Sequence, residues 1–132
     1  MTEEQVEDGI VESPPYIYRA RLARVVDGDT IDVDIDCGFG IWLKKERLRL
    51  YGINTPETRG KEREEGLVAK AFVQAEMASA TSILIKTYVD ARGKYGRLLA
   101  EVYYRTPLNP DGPMVNLNRT LLVRGFAKPT LY

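Results

Sequence analysis

Between Arg47 and Leu50, charged and apolar residues alternate with the period of a strand, so Leu48 and Leu50 are expected to face a core while Arg47 and Arg49 face away. The same alternation runs through Thr30–Asp36, where Ile31, Val33 and Ile35 interleave with acids. Asp27-Gly28-Asp29 before it is a hairpin-type turn, which pairs this strand antiparallel with an earlier one over Tyr16–Val26. In that first strand Tyr16, Tyr18, Ala20 and Leu22 share a face. Gly38 and Gly40 make a second turn, and Ile41–Tyr51 forms the third strand of the meander.

The period changes between Lys61 and Ala80. Leu67, Ala71, Ala75 and Ala78, with Val68 and Phe72 beside them, form a stripe at helical spacing, preceded by acids that favour a helix N-terminus. Ser82–Asp90 and Leu98–Tyr104 read as a fourth and a fifth strand around a loop at Ala91–Gly96. Residues 105–113 are a Pro/Asn/Gly-rich loop, and a short helix over Leu117–Arg124 stops at Gly125. The predicted fold is α+β: a five-stranded barrel of the OB type with one long and one short helix.

Composition narrows the chemistry. The chain has 132 residues, no histidine and the single cysteine Cys37, which excludes histidine bases, Ser-His-Asp triads, internal disulfides and multi-Cys zinc sites. Net charge is zero, yet residues 1–15 hold five acids and no base, so the body is net +5. The domain is assigned to 16–132 and the acidic stretch 1–15 to a flexible tail ending in Ser-Pro-Pro. With neither an apolar run of transmembrane length nor a signal-peptide pattern, the expectation is a cytoplasmic protein without a membrane partner, a monomer being favoured.

After Leu50 the strand stops, because Gly52 frees the backbone and Pro56 removes an N–H. The loop Asn54–Thr58 then offers the Asn54 amide, the Thr55 carbonyl and hydroxyl, and the Glu57 carboxylate. A hard cation takes such oxygens, and Asp27 and Asp29 would supply two more if their turn lay beside this loop. An ordinary polar turn at each place is the alternative. Asp32, Asp34 and Asp36 read as a solvated outer face rather than a metal cluster. Lys94-Tyr95-Gly96-Arg97 combines two cations with an aromatic ring, which suits a phosphate and a stacked base, or else an exposed β-turn.

Taken in order, Val-Asp-Gly-Asp-Thr (26–30), Arg-Leu-Arg-Leu-Tyr-Gly-Ile-Asn-Thr-Pro-Glu-Thr (47–58), Lys-Tyr-Gly-Arg (94–97) and Asn118 with Leu-Leu-Val-Arg-Gly-Phe-Ala-Lys (121–128) closely resemble the staphylococcal nuclease-like (thermonuclease) family. The resemblance implies an OB-type barrel and calcium-dependent hydrolysis of DNA and RNA that leaves 3′-phosphate ends. It also implies Asp29 and the Thr55 carbonyl as calcium ligands, Arg49 and Arg97 as catalytic arginines, Glu57 as general base, and Lys94 and Tyr95 as nucleotide contacts. Two departures stand out. Asn54 occupies the position of a second calcium-binding aspartate, and the chain ends at Tyr132, where the best-known members continue into another helix. A non-catalytic OB-type module that binds nucleic acid or protein is the competing expectation, although it gives no reason to retain Arg49, Glu57 and Arg97 together.

Overall fold

A computed structural model describes residues 16–88 and 98–130. The acidic stretch 1–15, Lys94, Tyr95, Arg97 and Tyr132 lie outside the described residues. The elements are β1 (Tyr16–Asp27), β2 (Thr30–Asp36), β3 (Trp42–Leu50), β4 (Ile53–Asn54), a 3-10 turn (Gly60–Glu62), α1 (Arg63–Ser79), β5 (Ser82–Tyr88), β6 (Leu98–Arg105), β7 (Val115–Asn116), α2 (Leu117–Val123) and β8 (Lys128–Pro129).

Five strands close into a barrel. β1 pairs antiparallel with β2 and β5, β2 with β3, and β5 with β6. The ring is completed where β3 and β6 run parallel, with Leu48 opposite Leu98 and Leu50 opposite Ala100. The inward residues of β2 and β3 (Ile31, Val33, Leu48 and Leu50) are fully buried, and Ile85, Val102 and Tyr104 meet them from β5 and β6. Removing such side chains from water is the main favourable contribution to folding. Along β1 the expected face holds for Ala20, which is buried, and in part for Tyr18 and Leu22, but Tyr16 is 59% exposed. A bulge between Leu22 and Arg24 then shifts the register so that Val25 turns inward.

α1 packs on the barrel at β1, but not on the stripe that spacing predicts. Its buried residues are Gly66, Ala69, Val73 and Met77, while Leu67 and Val68 are 38% and 57% exposed and Ala71, Ala75 and Ala78 face outward. Apolar residues surround this helix on most sides, so periodicity alone leaves its rotation undetermined. Close approach decides it. A Cβ at Gly66 would lie 2.1 Å from the Glu57 carbonyl oxygen and 2.8 Å from that of Pro56, so only glycine lets the first turn of α1 sit against the 56–57 backbone.

At the other end, Asn116 caps α2 by accepting the Arg119 N–H at 3.1 Å, and Gly125 ends it with φ +79°. Asn118 is buried inside the first turn of α2. Its amide donates to the carbonyls of Tyr51 (2.9 Å) and Ala100 (3.0 Å), and its oxygen accepts from the Val102 N–H (3.0 Å), tying α2 to the β3–β6 seam. The two-residue ladder of β4 and β8, with Asn54 opposite Lys128, brings the end of the described chain alongside the 53–58 loop.

Candidate active site

Two turns far apart in sequence meet at one end of the barrel. Asp29 is buried, and its Oδ2 accepts the Thr55 backbone N–H at 3.0 Å while the Thr30 hydroxyl donates to Oδ1 at 3.0 Å. Asp27, two residues earlier, accepts from the Thr58 hydroxyl at 2.9 Å. Between them, Gly28 permits the contact, since a Cβ there would meet Thr55 and Ala69 side chains at 2.9 Å. The glycine of Asp-Gly-Asp therefore serves close packing against the second turn.

Arg49 stands at the centre. It lies opposite Thr30 in the β2–β3 register, and one end of its guanidinium pairs with Asp29 Oδ2 at 2.9 Å. The other end donates to the Ile53 carbonyl at 3.1 Å and to the Asn54 side-chain oxygen. A carboxylate as buried as Asp29 is costly without a cation beside it, and Arg49 supplies that cation. From the sequence, Asp29 and Asn54 are expected to ligate a cation and Arg49 to act as a catalytic arginine; in the structure Arg49 contacts the other two directly. Two polar atoms here, Arg49 Nε and Thr55 Oγ1, are buried without a partner among the described residues. Such atoms are uncommon in a settled core and are satisfied by water, an ion or a ligand.

These groups line a cavity of about 730 Å³. Besides Asp27, Asp29, Arg49, Asn54 and Thr55, its walls include Glu57, Glu62, Glu65 and Lys128. Among the described residues the cavity thus gathers five carboxylates and two basic side chains. Glu57 is exposed at this surface rather than sequestered. Glu62, Glu65 and Lys128 were not singled out from the sequence as site residues, although the three-residue spacing of the two glutamates at a helix start places them on one face. Lys128 closes the 121–128 motif, but nothing local places it here, because the β4–β8 ladder carries it to the cavity. No group of three or more Asp, Glu or Cys side chains in metal-binding geometry occurs among the described residues.

The geometry is that of an OB-type barrel whose β1–β2 turn, β3 end and following loop build one polar cavity. Residues 47–132 match the staphylococcal nuclease homologue family, and the chain belongs to that family. It is 35% identical over 107 residues to an uncharacterized endonuclease of Escherichia coli O157:H7, a match covering 81% of this chain and 58% of that protein. It is also similar to protein ParB of Escherichia coli, 28% identical over 124 residues, covering 89% of this chain and 61% of ParB. Endonuclease YhcR of Bacillus subtilis (strain 168) is 28% identical over 123 residues, covering 87% of this chain but 9% of that protein. The chain therefore spans less than two thirds of the length of these relatives. No helix among the described residues is long and apolar enough to cross a membrane.

Proposed function

We propose that this chain is a calcium-dependent nuclease that hydrolyses phosphodiester bonds of DNA, RNA or both and leaves 3′-phosphate ends. The observation that carries the reading is the convergence of Asp29, Arg49, Thr55 and Glu57 on one cavity from two separate turns. Family membership and the endonuclease names of two relatives support the same class of chemistry.

The donor set suits a hard cation. Asp29, the Asn54 amide oxygen and the Thr55 carbonyl are the proposed calcium ligands, with Asp27 behind them; all are oxygens, and the acidic excess of the lining favours a cation over a bare phosphate. When bound, calcium supplies charge that polarises the phosphoryl group. Glu57 then accepts a proton from the attacking water. Arg49, permanently charged and forked, holds the phosphoryl oxygens at the cavity, with Arg97 proposed as its counterpart. Lys94 and Tyr95 are proposed to contact the nucleotide. The test is direct: incubate the chain with single-stranded DNA and with RNA, in calcium or in chelator, and analyse the product ends. Calcium-dependent cleavage to 3′-phosphates is expected, and cleavage indifferent to chelator would overturn the metal assignment.

One observation favours a second reading, a non-catalytic OB-type binding module. The oxygens of Asp29 and Asn54 already hold Arg49, so a cation must compete with a guanidinium for them. Asn54 also brings one negative charge fewer than a carboxylate. Asn54→Asp is therefore expected to tighten calcium binding by about fivefold or more, as one added charge near 4 Å is worth about 1 kcal/mol even in water. Calorimetric titration checks this. Equal affinities would remove residue 54 from the ligand set, and no calcium heat in either protein would favour the binding module.

A further inference from the structure

The outward face of β3 runs as a line from the candidate active site to the far tip of the β2–β3 hairpin. Residues opposite one another in the ladder share a face, so Arg49 opposite Thr30, Arg47 opposite Asp32 and Trp42 opposite Asp36 all project outward from the barrel. Between Arg47 and Trp42 a bulge places both Lys44 and Lys45 against Asp34: Lys45 N–H donates to Asp34 Oδ1 at 2.9 Å, and Lys44 Nζ lies 3.5 Å from Oδ2. Across this face the three aspartates of β2 lie between Arg19, Arg21 and Arg24 on one side and Lys44, Lys45 and Arg47 on the other. Arg47 chelates Asp32 through Nε at 2.9 Å and a terminal guanidinium nitrogen at 3.2 Å, yet among the described residues of this face the bases outnumber the acids two to one and leave an excess of positive charge.

The line ends in aromatic rings. Trp42 carries the Arg21 guanidinium 4.5 Å from its ring centroid and the Lys44 ammonium at 5.6 Å. Beyond it Phe39 is fully exposed at the tip. Its backbone is left-handed (φ +57°) between Gly38 and Gly40, and Lys45 is the other non-glycine residue with positive φ among the described residues (φ +53°). A bulky side chain in that region is an outlier, and such outliers cluster where a protein contacts something else. The tip is also fixed. Asp36 accepts the Gly38 N–H at 2.9 Å, Gly38 the Ile41 N–H at 2.9 Å, and Ile41 the Cys37 N–H at 2.9 Å, so the ring of Phe39 is presented on an ordered turn.

We propose that this face is a track for single-stranded nucleic acid leaving the cavity: Arg47, Lys44 and Lys45 follow the phosphates, and Phe39 stacks an unpaired base. Cations in a row with an aromatic ring beyond them match the way such strands are held without sequence preference. Arg49 to Trp42 spans about 23 Å at strand rise, a length compatible with the ~4–16-nucleotide sites of OB folds. An anionic membrane would also attract exposed rings and bases, but it has no use for a basic line that runs on into the cavity. The cavity end of the track rests on the nuclease reading; the hairpin end does not.

Trp42 is the only tryptophan in the sequence, so its emission reports on this face alone. In the full chain carrying Glu57→Gln, which preserves the ligand, an oligothymidylate as long as the strand is expected to quench that emission saturably. A thymidine dinucleotide, confined to the cavity, is expected to leave it unchanged. Phe39→Ala should weaken oligothymidylate binding about tenfold, as for one lost stack, and leave dinucleotide cleavage by the otherwise unsubstituted chain as it was. Lys45→Gly removes a charge where glycine fits the backbone, and should lower the slope of log affinity against log salt by about 0.7. Emission that ignores the oligonucleotide while the unsubstituted chain cleaves it overturns the track and spares the nuclease reading. Quenching without any cleavage supports the track and sinks the nuclease reading. Emission that responds only to phosphatidylserine vesicles overturns the track in favour of a lipid surface.

Discussion

Replacing Glu57 by Gln is expected to lower kcat on single-stranded DNA by about 10²–10⁴, the contribution of a positioned general base. The substitution keeps the shape of the side chain and removes its ability to take a proton. Because Glu57 is exposed on the cavity wall, the change should leave the thermal midpoint nearly where it was. KM should also change little, since binding of the ground state does not depend on the proton transfer. Steady-state kinetics with thermal unfolding of the same preparation checks all three. An unchanged kcat removes Glu57 from the chemistry and returns the choice to the binding module.

Gly66→Ala is expected to damage both stability and turnover, although in an ordinary helix the same change stabilises by about 1 kcal/mol. Here the added methyl lies 2.1 Å from the Glu57 carbonyl oxygen and 2.5 Å from its carbonyl carbon, closer than real Cβ contacts allow. Either α1 lifts from the barrel or the 56–57 backbone moves outward. Overpacking of this kind costs about 1–3 kcal/mol, read as a fall of several degrees in the thermal midpoint. A shift of Glu57 by about 1 Å should reduce kcat by around 10². Gly66 is thus expected to act as a positioning residue, and the kcat-to-KM split separates its effect from general loosening: kcat should fall while dinucleotide KM holds. A Gly66→Ala protein that is more stable and fully active would show that the helix does not set the position of Glu57.

The elements were legible wherever the polar pattern had one interpretation. Thr30–Asp36 alternates without exception, and the observed strand has those bounds with Ile31, Val33 and Ile35 buried. Gly125 marked the end of α2 because a left-handed residue was needed there. The acids of β2 stand on the outward face, as the alternation predicts, but they are paired rather than solvated: Arg47 bonds to Asp32 at 2.9 Å and holds its carboxyl below the usual carboxylate range, and Lys44 lies 3.5 Å from Asp34. The rotation of α1 was not legible. Its apolar residues permit more than one buried face, and the one chosen depends on Gly66 meeting a loop ten residues upstream. Lys128 closes the 121–128 motif, but its place at the cavity was not legible for a related reason, since a two-residue ladder carries no periodic signal.

By itself the sequence determined the order of the five barrel strands and two helices, the barrel class, the lack of any histidine in this sequence, and the ordered motifs that place the chain in its family. These follow from local stereochemistry and from which residue types stand at which spacing. Only the tertiary structure decided that β3 closes the ring parallel to β6, that Arg49 joins Asp29 to Asn54, and that five carboxylates of the described residues share one cavity. Those outcomes depend on contacts between segments distant in the chain. Each is selected by burial of charge and by the space a missing Cβ leaves, and neither is written in any single stretch of residues.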